Sequence, residues 1–255
     1  MTMKLATLLS VSMLATSSAF AAATAESSNV FGVLRVDSSN AQTIVSVPWV
    51  NASAGAESDV KVVDLVKTST LSEGDELYWY DSSAQSYKAW RLDANKVWQG
   101  ASVVNQKGIK IDVGDNQALP RGDALILKRT KPTDPGYFFL CGQYTTSSAS
   151  TTIAVGSAST PAFTLLAPPT ASSGQVDLND ATWTGVGTSD NILVNDKDGK
   201  LTILTYVNDK WGQPGYTKTM PPVKTHVTDA AKIDAGLGVW YKSVKETGTI
   251  TVKWN

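Results

Sequence analysis

The chain has 255 residues, and 42% of them are hydrophobic, so one or two domains with packed cores are expected. Only 18% of the residues are charged, and the formal net charge is −1. Because no basic excess is present to neutralise phosphates, we expect no nucleic-acid partner.

The first residues have the pattern of an export signal. Lys4 supplies the positive start, residues 5–14 form a short apolar core, and residues 19–21 read Ala-Phe-Ala, the form of a cleavage site. The apolar stretch is too short and too rich in serine and threonine to span a bilayer. We therefore expect a signal peptide at residues 1–21 and an exported chain, periplasmic, on the cell surface or secreted, without a transmembrane helix.

Two segments of the mature chain have the same β pattern. Residues 75–92 alternate as the two strands of a hairpin and are followed by Trp98, and residues 190–206 do the same before Trp211. A strand pattern that returns in this way is typical of a duplicated unit. We predict that both tryptophans fill the core at a strand end.

The first strands of the two copies also align. A gapless alignment pairs Val33 with Ile153 and Val45 with Leu165. Each second strand then ends at a proline, which cannot donate a backbone hydrogen bond to a sheet. The alignment therefore predicts that the strands and their ends are shared between the copies.

These patterns predict an all-β fold of two tandem copies of a small antiparallel sandwich or barrel-like unit. The first unit covers residues 22–144 and the second covers residues 150–255, joined by a polar linker. Many short strands with regular turn signals, and the lack of an amphipathic helix, favour this architecture.

Alternation along the first hairpin sorts its residues onto two faces. Leu77 and Trp79 share a face that is apolar in both copies, so we predict that this face is core. Tyr78 and Tyr80 point the other way, where the second copy is less apolar. An aromatic residue on that second face is the better candidate for binding.

Aromatic side chains are the clearest candidate for a binding surface. The first hairpin carries Tyr78, Tyr80, Tyr87 and Trp90. An exposed aromatic ring can stack on the apolar face of a sugar ring. We predict these four residues as candidate ligand-binding residues for a glycan, with core filling as the alternative role.

Groups for nucleophilic or metal chemistry are few. The chain has one histidine, His226, and one cysteine, Cys141, and it has no G-x-S-x-G motif. A zinc site needs three or four such ligands, so we expect no metal, and no cofactor motif is present. We predict that Cys141 is a small buried core residue in an apolar strand.

Carboxylates near the first hairpin leave acid–base catalysis open as an alternative. Four acids lie there: Glu73, Asp75, Glu76 and Asp81. A pair of such acids is what glycoside hydrolysis needs. However, Asp75 and Asp81 return in the second copy as Asp190 and Asp196, beside turns, so we predict that they stabilise turns.

Two further motifs have simpler explanations. Residues 121–123 read Arg-Gly-Asp, a tripeptide that some animal adhesion receptors bind, but the second copy keeps only the glycine, at Gly236. We therefore predict a turn there. Residues 99–117 and 212–228 are long and irregular, and the second is rich in proline, so both are predicted to be loops able to bind a ligand.

Three segments together resemble a known group of proteins: residues 45–49 (Val-Ser-Val-Pro-Trp), residues 74–79 (Gly-Asp-Glu-Leu-Tyr-Trp) and residues 119–124 (Leu-Pro-Arg-Gly-Asp-Ala). They are similar to exported repeat proteins of verrucomicrobial bacteria. The resemblance covers mainly the first copy and carries no catalytic residue. It implies a location in the envelope or outside the cell.

Three functions follow as hypotheses. The first is an exported, non-catalytic envelope or secreted protein with a structural or binding role, whose partner is a glycan or another envelope protein. The second is a carbohydrate-binding module that uses the aromatic hairpin face. The third is a hydrolase with carboxylate catalysis.

Overall fold

The structure, a computed structural model, describes residues 31–53, 56–101, 103–104, 110–113, 118–143, 148–169, 174–196, 198–216, 220 and 224–254. The predicted signal peptide at residues 1–21 lies outside the described residues. We call residues 31–143 the first half and residues 148–254 the second half.

The first half is built from short strands. These are β1 (Phe31–Asp37), β2 (Gln42–Ser46), β3 (Val50–Ser53), β4 (Ala56–Lys61), β5 (Val66–Lys67), β6 (Glu76–Asp81), β7 (Ser86–Leu92), β8 (Trp98–Gly100), β9 (Val103–Val104), β10 (Lys110–Val113), β11 (Ala118–Leu119), β12 (Ala124–Lys128) and β13 (Tyr137–Gln143). One helical turn, α1 (Val62–Leu65), and a 3-10 turn (Thr68–Thr70) interrupt them.

The second half is built in the same way. Its strands are β14 (Ala149–Ile153), β15 (Ala162–Leu166), β16 (Gln175–Asp177), β17 (Thr182–Thr184), β18 (Asn191–Asn195), β19 (Leu201–Val207), β20 (Lys210–Tyr216), β21 (Lys224–Val227), β22 (Lys232–Asp234), β23 (Val239–Ser243) and β24 (Ile250–Trp254). Two 3-10 turns (Leu178–Asp180 and Thr228–Ala231) join them. The predicted all-β fold is confirmed.

The strand order of the two halves corresponds. The main sheet of the first half runs β2-β12-β6-β7-β10-β9, with β8 also on β7, and that of the second half runs β15-β23-β18-β19-β20-β21. In the first half a second sheet pairs β13 with β1, β3 and β5, and in the second half β24 pairs with β14 and β17. In the first half β4 and β11 continue this second sheet beyond β3, whereas in the second half β16 and β22 form a separate pair.

The sheet register shows which residues of the two halves are equivalent. Val45 lies opposite Leu125, and Leu166 lies opposite Val239. Leu125 and Val239 in turn occupy the same place beside the two central hairpins. The counterpart of Val45 is therefore Leu166, and the pairing with Leu165 from the gapless alignment is wrong.

The first strands show a larger error in that alignment. Val33 is 65% exposed, whereas Ile153 is 2% exposed, so the two residues are not equivalent. The reason is an insertion, because four residues separate β1 from β2 and eight separate β14 from β15. An alignment without gaps cannot allow for these extra residues.

Each half has its own hydrophobic core. In the first, Leu77 lies opposite Trp90, and Leu92 lies opposite Trp98, all of them buried. In the second half, Trp211 lies at the place of Trp98 and is fully buried. The predicted core role of both strand-end tryptophans is confirmed.

The prediction that residues 212–228 form a loop is wrong. Most of residues 212–228 forms the antiparallel pair β20–β21, in which Pro214 lies opposite His226. Residues 99–117 also contain strand, in β8, β9 and β10. Proline is tolerated in β20 because the pairing with β19 ends at Gly212, so Pro214 has a neighbouring strand on one side only.

The two halves contact each other through matching backbone segments. The N–H of Ser46 donates to the carbonyl of Gly236 at 2.8 Å, and the N–H of Ala167 donates to the carbonyl of Gly122 at 3.0 Å. Ser46 and Ala167 are equivalent, as are the two glycines, so the contact is reciprocal. Both glycines have positive φ, +99° and +83°, a conformation that other residues rarely adopt.

Candidate functional site

The predicted aromatic surface is only partly assembled. Tyr78, Tyr80 and Tyr87 lie together on the outer face of the first main sheet, with Tyr87 4.8 Å from Tyr80 and 6.5 Å from Tyr78 between ring centroids. Trp90 is 1% exposed and belongs to the core. The prediction of Trp90 as a binding residue is therefore wrong, because three positions along a strand separate it from Tyr87 and place it on the opposite face.

The aromatic face continues into the second half. The ring of Tyr80 packs edge-on against Trp240 at 5.1 Å between centroids. The Gln85 side chain accepts from the Tyr80 hydroxyl and from the N–H of Phe163, and it donates to the Phe163 carbonyl. The turn of the first hairpin is thereby held against the second half, and Tyr80 stands at the junction.

Tyr78 belongs to a charged network. Its hydroxyl donates to Glu76, which also accepts from Arg91 at 2.6 Å and from Lys128 at 2.8 Å. Burial alone would raise the pKa of Glu76, but these hydrogen bonds lower it to about 2. Because its oxygens have structural partners, Glu76 is poorly placed to act on a ligand.

A cleft lies between the two halves, next to Tyr80. Its volume is about 360 Å³. Residues of both halves line this inter-half cleft: Asp59, Trp79, Tyr80, Asp81, Ser82, Ser83, Pro120, Asp123, Thr151, Thr152, Thr164 and Leu165. Its lining therefore includes three carboxylates, several hydroxyl groups and two aromatic residues, Trp79 and Tyr80, which lie on opposite faces of β6.

Asp123 has the most perturbed carboxyl group of the cleft. Burial raises its pKa to about 6, and the nearby charges of Asp59 and Asp81 act in the same direction. The indole N–H of Trp79 donates a hydrogen bond to it, which acts in the opposite direction. Asp123 is thus a carboxylate held partly out of water beside an aromatic ring.

Asp81 has the opposite character. Its carboxylate accepts from the Ser83 hydroxyl at 2.6 Å and from the N–H groups of Ser83 and Ala84. The Ser83 hydrogen bond is the main reason that its pKa lies below the ordinary value. Two carboxyl groups of one cleft therefore have pKa values shifted in opposite directions.

The same place in the second half has different chemistry. By sheet register, Leu237 is the counterpart of Asp123, and Val194 is the counterpart of Trp79. A related cleft of about 310 Å³ lies there, and Leu237 lines it together with Arg35 of the first half. The fold therefore forms without an aspartate or a tryptophan at these positions.

The predicted turn role of two aspartates is confirmed. Asp75 accepts from the N–H groups of Ser72 and Thr130, at 2.9 and 2.7 Å. Asp190 accepts in the same way from Gly187 and Val244, both at 2.8 Å. These carboxylates link each central hairpin to the strand beside it and take no part in the cleft.

The residues of the Arg-Gly-Asp tripeptide serve the contact between the halves. Arg121 donates to the carbonyl of Pro169 at 3.2 Å, and Gly122 supplies a carbonyl to the second half. Sequence reasoning treated Asp123 as part of a turn and so missed it as a site residue. The signal was available, because an aspartate replaced by Leu237 in the second copy is not needed for the turn.

Other reactive groups lie apart from the cleft. Cys141 is 5% exposed, and burial raises the pKa of its thiol, which fits the predicted core role. A ring nitrogen of His226 lies 3.0 Å from the carbonyl oxygen of Thr205. Among the described residues no three histidine, cysteine or acidic side chains are grouped as a metal site would require. In the same part of the chain, no helix has both the length and the apolar character to cross a membrane.

Comparison with known proteins adds no relative. No protein-family model matches the chain, and no curated protein or solved structure is significantly similar to it. The function is therefore argued from the cleft itself.

Proposed function

We propose that the protein is an exported carbohydrate-binding protein and that a sugar occupies the inter-half cleft. The observation that carries the proposal is that Trp79, Tyr80, Asp81 and Asp123 all line one open cleft. Aromatic rings cover the apolar face of a sugar, and carboxylates accept hydrogen bonds from its hydroxyl groups.

The rest of the lining suits the same ligand. Ser82 and Ser83 from the first half, with Thr151 and Thr152 from the second half, supply hydroxyl groups that both donate and accept. A sugar ring presents such groups around its whole edge. The ligand would then contact both halves.

The test is a glycan array followed by calorimetry on the full chain. Replacing Asp81→Asn is expected to weaken binding by about tenfold, since a charged acceptor becomes neutral. Asp196→Asn is the matched control, because Asp196 makes the equivalent hairpin turn and does not line the cleft. Absence of binding to any glycan, or an equal loss in both variants, would contradict the proposal.

A second pair of variants tests the contribution of the Tyr80 ring. Tyr80→Ala should reduce binding, whereas Tyr78→Ala, on the same strand and outside the cleft, should leave it within about twofold. Circular dichroism of both variants controls for folding.

Export is part of the proposal and has its own test. It is supported by Lys4, the apolar residues 5–14 and the Ala-Phe-Ala site at residues 19–21. N-terminal sequencing of the protein from a cell envelope or culture fraction should begin near Ala22. An intact N-terminus in a cytoplasmic fraction would contradict export.

A second candidate function is glycoside hydrolysis in the same cleft. The observation that favours it is the opposite shift of the pKa values of Asp123 and Asp81, the pattern of an acid beside an ionised carboxylate. Incubation with bound glycans and measurement of new reducing ends tests it. New reducing ends that are absent with the Asp123→Asn variant would support hydrolysis. Glycans that stay intact would contradict hydrolysis and leave binding as the only function proposed for the cleft.

A further inference from the structure

The first strand of the first half, β1, lies at an open edge of its sheet. It pairs with β13 and, among the described residues, with no other strand. The N–H of Ser38, the residue after β1, donates to the carbonyl of Gly136 at 2.9 Å and so continues the ladder. Because the residues that bond across an antiparallel pair alternate, the N–H and C=O groups of Val33, Arg35 and Asp37 point away from β13.

The related cleft of about 310 Å³ runs along this edge. Its lining from β1 consists of the four consecutive residues 34–37. Since successive side chains of a strand point to opposite faces, a cleft that touches all four lies beside the backbone of the strand. Within the described ranges, no group is hydrogen-bonded to the outward N–H and C=O groups of Val33, Arg35 and Asp37. The cleft therefore borders a row of backbone groups that can pair with a further strand.

The opposite wall of the related cleft belongs to the second half. Gly174, Gln175, Asp234 and Ala235 form it, and no described atom lies within 4 Å of the place that a Cβ would take at Gly174. A strand spacing of about 4.8 Å, a sheet spacing of about 10 Å and a rise of about 3.3 Å give an extended residue about 160 Å³. The cleft thus has the volume of about two residues of an added strand, and the rest of that strand would lie along the exposed part of β1.

The side chains of β1 differ on its two faces. Those of Arg35 and Asp37 are 57% and 62% exposed, and they contact each other at 2.8 Å. Leu34 and Val36 point at the second half, where a Cβ on Gly236 would lie 3.0 and 2.6 Å from them. An exposed ion pair within one strand contributes little, so it can be exchanged for pairs with a neighbouring strand. Opposite charges that face each other across two strands stabilise their pairing.

From the unpaired edge groups, the cleft beside them and the two exposed charges, we infer that β1 binds an extended peptide as an added strand. The peptide carries an acidic residue opposite Arg35, a basic residue opposite Asp37 and a small apolar residue between them. Backbone hydrogen bonds supply most of the affinity, and the side chains select the sequence. This site is separate from the sugar site proposed above and does not depend on it.

The test is a chemical-shift titration of the full chain with the peptide acetyl-Thr-Lys-Val-Glu-Val-Thr-amide. Backbone signals of residues 33–37, 174–175 and 234–235 should shift together, with a Kd of about 0.1 mM. Matched peptides with two lysines or two glutamates at the charged positions should bind about threefold more weakly or worse, because one of their charges then faces a like charge.

Methylated peptides test the pairing itself. The backbone N–H groups of an added strand point alternately towards β1 and away from it. Methylating the amides of the lysine and the glutamate in one peptide, and of the two valines in another, separates these two sets. One peptide should lose binding, and the other should bind within about twofold of the parent. Which of them loses binding shows whether the added strand is antiparallel or parallel to β1.

Variants of Arg35 assign the effect to the β1 edge. Arg35→Pro removes one outward N–H and leaves the pairing with β13 intact, so it should weaken binding of the peptide about tenfold. Arg35→Ala removes the charge and keeps the N–H, so it should weaken binding only about threefold. Circular dichroism controls for folding, and the methylated peptides still test the backbone pairing if Arg35→Pro does not fold.

Three outcomes overturn the inference. The first is the absence of a saturable shift at residues 33–37 up to about 5 mM peptide. The second is an equal loss of binding by the two methylated peptides. The third is self-association of the full chain through residues 33–37, because a second copy then occupies the edge. None of these outcomes bears on the glycan experiments.

Discussion

The two halves differ most where the proposed site lies and least where the fold is held together. Asp75 and Asp190 are both almost fully buried and accept hydrogen bonds from equivalent backbone groups. Trp98 and its counterpart Trp211 both fill a core at the same strand end. These residues, which the two halves share, therefore stabilise the fold.

Two of the residues that differ occupy positions where the fold does not require their type. Asp123 corresponds to Leu237, and Trp79 corresponds to Val194, in sheets of the same strand order. A leucine or a valine at these places gives an equally well buried strand. The comparison thus separates fold from candidate function within one chain, and each experiment below tests one side of it.

The largest effect is expected at the shared tryptophans. Trp98→Ala and Trp211→Ala should each lower the free energy of unfolding by about 3–5 kcal/mol, because each leaves a large cavity in a core. Urea denaturation followed by circular dichroism measures both. A loss below about 1 kcal/mol at either site would contradict the equivalence of the two cores.

The shared aspartates come next. Asp75→Asn and Asp190→Asn should each cost about 2–3 kcal/mol, because the amide replaces a charged acceptor of several buried donors. The two costs should be similar, since the hydrogen bonds are equivalent. Thermal unfolding of both variants measures them, and a neutral effect in one half would show that the carboxylates differ in role.

Replacing Asp123 should raise the free energy of unfolding instead of lowering it. Its pKa rises from 3.8 to about 6 on folding, so its charge opposes folding above pH 6, and this cost declines as the pH falls from 6 to 3.8. Asp123→Asn should therefore stabilise the chain by about 2 kcal/mol near pH 8, and by little near pH 4. Denaturation at the two pH values measures this. The facing acids Asp59 and Asp81 carry part of the effect.

The reverse substitution is the matched control for Asp123. Leu237→Asp places a carboxylate in the equivalent buried position of the second half, so it should destabilise the chain at neutral pH. A destabilising Asp123→Asn would show that the carboxylate supports the fold after all.

The smallest effect is expected at Glu76, which the second half replaces by the uncharged Asn191. The folded pKa of about 2 lies below the ordinary value of 4.5, so the stabilisation is present above pH 4.5 and is lost as the pH falls towards 2. Glu76→Gln should cost about 1–2 kcal/mol at neutral pH, because Arg91 and Lys128 are half exposed. Acid titration of both proteins tests this, and parallel curves would contradict it.

Much of the fold is readable from the sequence, because it depends on alternation. The apolar face of Leu77 and Trp79, the turn aspartates and the strand-end tryptophans follow from periodicity and turn chemistry. The alignment of the first strands failed because an insertion between β14 and β15 leaves no mark in the pattern.

The site was harder to predict than the fold. Trp90 was placed on the wrong face because it was grouped by residue type and not by its position along the strand. Asp123 lies beside Trp79 because β12 pairs with β6, and no local sequence pattern reports a pairing between two segments this far apart. Pairing between distant segments is the information that the sequence of one chain lacks.

The most direct test of the account is a chemical-shift titration of the full chain with a glycan that binds it on the array. We predict that backbone signals of residues 79–83, 120–123, 151–152 and 164–165 change together, since these segments line the inter-half cleft. The equivalent segments of the related cleft, at residues 34–37 and 234–237, should not respond. Changes confined to residues outside the first cleft, or equal changes in both clefts, would contradict the claim that the difference between the halves is the binding site.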